Sequence, residues 1–238
     1  IRSKPVILSS DTLSKIALSA PHATRVFAKY RMDFCCGGGT SLSDACIGKG
    51  LNSESVLAEI EAAAPLQRSV EADAPLGEVV DHVLSTHHEF TRNIMAEIEK
   101  FSVRVAAVHG AQHPEMIVLR DLFAKFKAEM ELHLMKEERV LFPYIRLLEN
   151  GAEKDAPVCF SDVGGPIRMM LFEHENAGED LRQMRETTSD YTLPPGACNT
   201  YRLLFHKLQE LEEDVHLHMH IENNLLFPRA MELAANPG

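Results

Sequence analysis

Apolar residues recur at steps of three and four residues along four long stretches of the chain beyond residue 75. This spacing places the apolar side chains on one face of an α-helix, and each stretch is long enough for a helix of a bundle. No alternating, β-branched run indicates a strand. The fold class is therefore all-α, with a four-helix bundle. The predicted bundle helices are Leu76–Val108, Pro114–Glu149, Gly165–Thr187 and Pro194–Ala235.

The first part of the chain has short apolar segments that are separated by proline and glycine. They predict four brief helices, Leu13–Leu18, Ala23–Tyr30, Leu42–Ile47 and Val56–Ala63. Toward residue 74 the periodicity is lost and charges are mixed, which is typical of a linker. We predict a small helical domain over 1–68, a linker over 69–74 and the bundle over 75–238.

Charge and cysteine content narrow the class of protein. Asp and Glu number 35 against 24 Lys and Arg, a net charge of -11, so phosphate backbones and anionic lipid surfaces are repelled. No apolar run approaches the roughly 20 residues that cross a bilayer. Five cysteines are an odd number, and the neighbours Cys35 and Cys36 form a disulfide only with strain. We expect a cytoplasmic protein that binds neither nucleic acid nor membranes.

A histidine–glutamate pattern occurs twice in the predicted bundle. His133 and Glu137 are followed by Leu-Phe-Pro, and so are His218 and Glu222, at an offset of 85 residues. Residues four apart on a helix lie on one face about 6 Å apart, so each imidazole and carboxylate can converge on the same metal. The repeat indicates that one helical hairpin has been duplicated.

Two single histidines complete the repeat. His88 and His174 stand on the first and third predicted helices, at an offset of 86 residues. Isolated histidines are usually ordinary core or surface residues, but this many polar groups in duplicated register would be costly to bury without a metal. The six predicted ligands are His88, His133, Glu137, His174, His218 and Glu222.

Four imidazoles and two carboxylates suit a pair of non-haem iron ions. If both carboxylates bridge, each ion has about two histidines and two carboxylate oxygens, which leaves positions open for a small ligand. The two carboxylates carry less charge than the two ions. We therefore expect an oxo or hydroxo bridge as well.

Other histidines near these positions are predicted to lie off the ligand face. Residues two apart on a helix are turned by about 200°, which separates His216 and His220 from His218. His87 is excluded only by the repeat offset, and His82 is a candidate for supporting the ligands or lining a channel. The Leu-Phe-Pro segments are assigned to packing and bending of the helix, because proline lacks an N–H.

At these residues the chain resembles the iron–sulfur cluster repair di-iron proteins, or RIC family, over both predicted domains. The segment Tyr30-Arg-Met-Asp-Phe-Cys35-Cys36-Gly-Gly is similar to the hallmark of that family's ScdA-type N-terminal domain. The two His-x-x-x-Glu helices are similar to the ligand helices of its hemerythrin-like domain. The resemblance implies the same six ligands and a role in repairing clusters damaged by nitric oxide or oxidants. It also implies damaged iron–sulfur proteins as clients, nitric oxide or oxygen as the small ligand, and iron donation or nitric oxide chemistry as the means.

Cys35 and Cys36 match the family's cysteine pair, for which the resemblance implies thiol or nitrosyl chemistry. Gly37–Gly39 would leave the sulfurs accessible and expose backbone N–H groups that lower a thiol pKa. The alternative is a buried turn of small residues. Cys46, Cys159 and Cys198 match nothing in the family and are predicted to be structural.

Several functions stay open on the sequence alone. A hemerythrin-like carrier or sensor of oxygen or nitric oxide is one, although carrier hemerythrins use more histidine and an Asp where this chain has Glu222. A di-iron enzyme that reduces nitric oxide or peroxide is another, because two adjacent metals can hold two diatomic molecules. A purely structural bundle is the last. Neither enzymatic turnover nor a homodimer is decided by the sequence.

Overall fold

The computed structural model describes residues 7–64, 70–152 and 162–236. Regular structure in these ranges is helical, and an isolated bridge between Thr12 and Ser41 is the β-type pairing found there. The all-α prediction is confirmed. None of the described helices is both long enough and apolar enough to span a bilayer.

Four short helices form an N-terminal module with its own apolar core. Side chains of Thr12, Ser41 and Asn52 cap three of them by accepting a backbone N–H of the first turn. Asn52 explains why the fourth helix begins three residues before the predicted start. The helices are α1 (Leu13–Ser19), α2 (Ala23–Lys29), α3 (Leu42–Gly48) and α4 (Ser53–Ala62).

The remaining helices form the bundle, and three of its four long rods are interrupted by a π-helical turn. The turns span Val83–His88, Glu137–Leu141 and Glu222–Leu226. The α-helices are α5 (Leu76–His82), α6 (Glu89–His109), α7 (Glu115–Lys136), α8 (Phe142–Glu149), α9 (Gly164–Thr187), α10 (Asn199–Ile221) and α11 (Phe227–Ala235).

The predicted start of the last rod is also wrong. The last rod begins at Asn199 and not at Pro194. The residue before a proline is disfavoured in the helical conformation, which applies to Pro194 because Pro195 follows it. Gly196 then adopts a positive φ of 79°, so the segment is a turn.

The bundle has two apolar clusters, and the predicted ligands lie between them. One cluster includes Phe123, Phe126 and Phe205, and the other includes Phe142 and Phe227. Both consist of buried side chains, so a polar group between them has little access to water. The ligands are therefore held inside a hydrophobic frame.

The turn after α9 is fixed by a buried ion pair. Ser189, Asp190 and Tyr191 all have positive φ values between 49° and 61°, which is unfavourable for residues with a Cβ. Arg185 donates from Nε and Nη2 to the two oxygens of Glu212, each at 2.9 Å. The Tyr191 hydroxyl donates to the same carboxylate at 2.9 Å. The network holds the strained turn on α10.

The N-terminal module sits on α10. The Phe34 ring packs edge-on against His216 and His220, and the His220 Nδ1–H donates to the Phe34 carbonyl at 3.1 Å. Asn224 Nδ2 donates to the carbonyl of Cys35 at 3.2 Å. These contacts bring the cysteine segment to the bundle.

Candidate metal centre

The six predicted ligands meet inside the bundle. Their donor atoms form two groups, in each of which one atom per residue lies within 4.8 Å of all the others. Each group contains two histidines together with both glutamates, and every one of the six side chains is buried. The first group is His88, Glu137, His218 and Glu222, and the second is His133, Glu137, His174 and Glu222.

Each carboxylate lies between the two groups. Glu137 Oε2 is 3.4 Å from the Nε2 atoms of both His88 and His133. Glu222 Oε1 is 3.0 Å from His218 Nε2, and its Oε2 is 3.1 Å from His174 Nε2. Each glutamate therefore contacts one histidine of either group.

Most of the donor atoms face one another without hydrogen-bonding partners. Both oxygens of Glu137 and of Glu222 are buried and unpaired, and so are the Nε2 atoms of His88 and His218. Buried polar atoms of native proteins are normally paired, because an unpaired one costs about 1–3 kcal/mol. Imidazole and carboxylate donors would be satisfied by cations, and these residues fit a non-haem di-iron site.

Three of the histidines are in the neutral protonation state that favours metal binding. Burial lowers the pKa of His88 to about 4, and also lowers the pKa values of His133 and His218. These imidazoles are therefore neutral at pH 7 and can offer a lone pair. Burial acts on His174 in the same direction, but Glu222 outweighs it and raises the pKa of His174.

The two glutamates titrate as a pair. Burial and the charge of Glu222 raise the pKa of Glu137 well above its usual value. Burial also opposes ionisation of Glu222, but His218 and His174 outweigh it and hold its pKa low. Both effects follow from two carboxyl groups placed close together among imidazoles.

Carboxylates outside the donor groups orient two of the histidines. His88 Nδ1 is 2.8 Å from Glu138 Oε1, and His133 Nδ1 is 3.0 Å from Glu173 Oε2. A proton on Nδ1 donates to the carboxylate and leaves Nε2 free to face the centre. Neither carboxylate was predicted from the sequence.

An amide performs the same task for a third histidine. His174 Nδ1 lies 2.6 Å from Asn223 Oδ1. Asn223 directly follows Glu222, so its place beside the second motif was visible in the sequence although its partner was not. The fourth histidine, His218, has no hydrogen bond on Nδ1.

His218 is instead covered by the ring of His87, 5.7 Å away and inclined by 7°. His87 Nδ1 is held 2.9 Å from Asp214 Oδ1. Neither donor group includes the histidines that were predicted to lie off the ligand face, although His87 is buried against one ligand. Those four residues are His82, His87, His216 and His220.

The Leu-Phe-Pro segments contact the ligands directly. The Phe142 ring stacks on His88 at 5.5 Å, and the Phe227 ring stacks on His174 at 5.9 Å. The assignment to packing and bending left these contacts out. Each phenylalanine also begins an α-helix immediately after a π turn, with proline as its second residue.

Cys35 and Cys36 lie on a loop that is organised by Asp33. Asp33 Oδ1 accepts the backbone N–H of Cys35 at 3.1 Å and of Cys36 at 2.9 Å. Cys35 is buried, Cys36 is exposed, and their Sγ atoms are 3.8 Å apart. The hydrogen bond from Cys35 lowers the pKa of Cys36, and the same bond and burial raise the pKa of Cys35. The Gly37 N–H donates to Asp33, and an effect of the other two glycines on the sulfurs stays a prediction.

Asn223 connects Cys36 to the donor groups. Asn223 Nδ2 lies 3.8 Å from Cys36 Sγ, while the Oδ1 atom of the same amide receives the Nδ1–H of His174. The exposed thiol is therefore linked to a predicted ligand by a single side chain. No sequence signal connected residues this far apart in the chain.

The other cysteines differ from one another. Cys46 is buried in the core of the N-terminal module. Cys198 is exposed at the start of α10, with its Sγ 3.2 Å from His109 Nε2. Its assignment as a structural cysteine stays a prediction. Cys159 lies outside the described residues.

Comparison with known proteins gives matches over both parts of the chain. Residues 79–230 match the family model of the hemerythrin HHE cation binding domain, and residues 9–64 match the ScdA N-terminal domain, a domain of unknown function. The chain is 37% identical over 221 residues to the iron-sulfur cluster repair protein YtfE of Cronobacter sakazakii, covering 92% of this chain and 95% of that protein. It is 36% identical over 222 residues to each of the proteins of the same name from Citrobacter koseri and Escherichia coli O8. Each match covers 92% of this chain and 96% of the relative.

Proposed function

This chain belongs to the family of iron–sulfur cluster repair proteins with a hemerythrin domain, and on that basis we propose that it restores iron–sulfur clusters damaged by nitric oxide or oxidative stress. Its clients would be damaged iron–sulfur proteins of the cytoplasm. The observation that carries the proposal is the pair of buried donor groups that share Glu137 and Glu222.

We assign a holding role to each of the six residues. His88 and His218 would hold one iron ion, His133 and His174 a second, and the two glutamates both. Two iron ions with an oxo or hydroxo bridge would supply iron to a depleted cluster or coordinate nitric oxide.

The surrounding residues orient the ligands and exclude water. Glu138, Glu173 and Asn223 fix the Nδ1 side of three imidazoles, which holds each Nε2 atom toward the interior. The apolar clusters above and below keep bulk water away. The chain itself thus provides orientation and exclusion of water.

We assign the contact with the client, or the carriage of a nitrosyl group, to Cys36 and its neighbour Cys35. Cys36 is the accessible thiol, and Asn223 joins it to His174. A group bound at the thiol would therefore lie one side chain from the centre.

The proposal is tested by repair of an aconitase-type cluster that has been nitrosylated in vitro. Iron-loaded protein should speed the recovery of aconitase activity, and His133→Ala should lose the effect. His206→Ala is the matched control, because His206 is 66% exposed and lies outside the donor groups. Equal recovery with wild type and with iron-free His133→Ala would reject the proposal.

A second candidate activity is reduction of nitric oxide at the same centre. It is favoured by the shared glutamates, which would place two ions side by side. Gas analysis under turnover with a reductant decides it: nitrous oxide in proportion to nitric oxide consumed supports the activity. A stable, reversible oxygen adduct would instead favour a carrier.

A further inference from the structure

A cleft of about 1170 Å³ separates the N-terminal module from α9 and α10. Cys36 lies on its wall as an exposed thiol, and Cys35 lies beside it. Sites for small molecules are typically about 300–1,000 Å³, so this cleft has room for a tripeptide. We call it the thiol cleft.

Two cations and two anions of the thiol cleft come from different parts of the chain. Arg25 and Lys49 come from the module, and Glu175 and Glu213 come from the bundle. All four are exposed, and none has an ion-pair partner among the residues that the structure describes. Most other charged residues of the cleft are paired, as Arg31 is with Asp190. The cleft therefore offers two cations and two anions that form no salt bridge with a described residue, together with one accessible sulfur.

A ligand that matches this pattern carries carboxylates, an ammonium group and sulfur. Carboxylates would be attracted to Arg25 and Lys49, the ammonium group to Glu175 and Glu213, and the sulfur would reach Cys36. We propose that the thiol cleft binds a low-molecular-mass peptide thiol and that Cys36 is the site of reversible disulfide exchange with it. The inference goes beyond cluster repair, since no iron takes part in the exchange.

The exchange is balanced without any further oxidant. The Cys36 thiolate attacks one sulfur of the peptide disulfide, so that the Cys36–peptide S–S bond forms and the original S–S bond breaks. The leaving thiolate takes up the proton that Cys36 released. Cys36 is oxidised to a mixed disulfide, and one half of the peptide disulfide is reduced to a thiol. A second peptide thiol reverses the reaction.

The position of Cys36 in the pair suits this role. Cys35 is buried, with its Sγ 3.3 Å from Asp33 Oδ1 and 3.8 Å from Cys36 Sγ, so Cys36 is the one that meets a ligand. The N–H group of Cys36 is occupied by Asp33, which fixes the loop against the cleft.

The test compares two disulfides on the iron-loaded full chain. Glutathione disulfide carries the charges of a peptide thiol, whereas bis(2-hydroxyethyl) disulfide is neutral. Adducts are located by mass spectrometry of peptides, and the ratio of the two rates at Cys36 measures recognition. We expect Arg25→Glu and Lys49→Glu each to lower this ratio about fivefold, the size of an exposed ion pair. Cys36→Ser should carry no adduct on this loop.

Lys100→Glu is the control for charge alone, because Lys100 is exposed on α6 away from the cleft, and it should leave the ratio unchanged. Iron content and circular dichroism show whether each variant is folded, and two charge variants guard against the failure of one. The proposal is overturned if glutathione attaches at Cys198 in preference to Cys36, or if both cleft variants keep the wild-type ratio. A negative result in this test would not count against cluster repair, since the repair assay needs no added disulfide.

Discussion

The Nε2 atoms of His133 and His174 lie 3.1 Å apart, although the two residues stand on different helices. Two imidazole nitrogens this close either share a proton or face a common cation. The first prediction follows from this pair. His174→Ala should bind about one iron ion per chain where the native protein binds about two, because the other donor group keeps both of its histidines. Metal analysis by mass spectrometry measures it, with His206→Ala as the control; an unchanged iron content would refute the assignment.

Glu137→Gln should have opposite effects on the metal-loaded and metal-free proteins. With iron bound, the variant loses a carboxylate ligand and should melt at a lower temperature. Without iron, it loses an unpaired buried carboxyl group that Glu222 repels, and should melt higher than metal-free wild type. Calorimetry with and without chelator measures both melting temperatures. A shift of the same sign in the two forms would mean that Glu137 is not a ligand.

Removing an orienting carboxylate should loosen iron without unfolding the bundle. Glu138→Ala leaves the imidazole ring of His88 free to rotate, and we expect the affinity for iron to fall about tenfold. The rate of iron loss to a chelator measures this change. Glu89→Ala is a control on the neighbouring helix, because Glu89 is exposed and belongs to neither donor group. Equal rates in the two variants would contradict the orienting role.

Asp33 should make the cysteine loop sensitive to acid. Burial opposes ionisation, but the N–H groups of Gly37 and Cys36 and the Cys35 thiol outweigh it and lower the pKa of Asp33. A carboxyl whose folded pKa is lowered stabilises the fold above its unfolded value of 3.8, and the stabilisation is lost as the pH falls through the folded pKa. Because the group is partly exposed, we expect Asp33→Asn to cost about 1 kcal/mol at pH 7. The difference in melting temperature between the two proteins should shrink below about pH 4; a difference constant with pH would count against this.

Arg185 should be the most sensitive charged residue outside the centre. Arg185→Met leaves the buried Glu212 carboxylate with only the Tyr191 hydroxyl, and we expect a loss of about 3 kcal/mol in the free energy of unfolding. Arg182→Met is the matched control, because Arg182 pairs only with exposed glutamates and should lose less than about 1 kcal/mol. Denaturant unfolding of both metal-loaded variants measures the difference, which similar losses would contradict.

The sequence was sufficient for the parts of the molecule that repeat or follow a period. The rods follow from apolar periodicity, and the clustering of the six donors follows from a spacing that appears twice. The partner of His133 could not be read this way, because Glu173 comes from another rod and the rotation of that rod decides which side chain faces the imidazole. The contact of Cys36 with Asn223 depends on how the module docks on α10, and local sequence carries no such information.

The π-helical turns restrict where residues can be inserted or deleted in this fold. Each of Glu137–Leu141 and Glu222–Leu226 begins with a shared carboxylate and ends where a proline-containing helix starts. A π-helical turn holds about one residue more than an α-helical turn, so deleting one residue would convert it to regular α-helix and remove the widened turn that follows the carboxylate. Family members of different length should therefore differ in their loops and keep these ten positions without gaps.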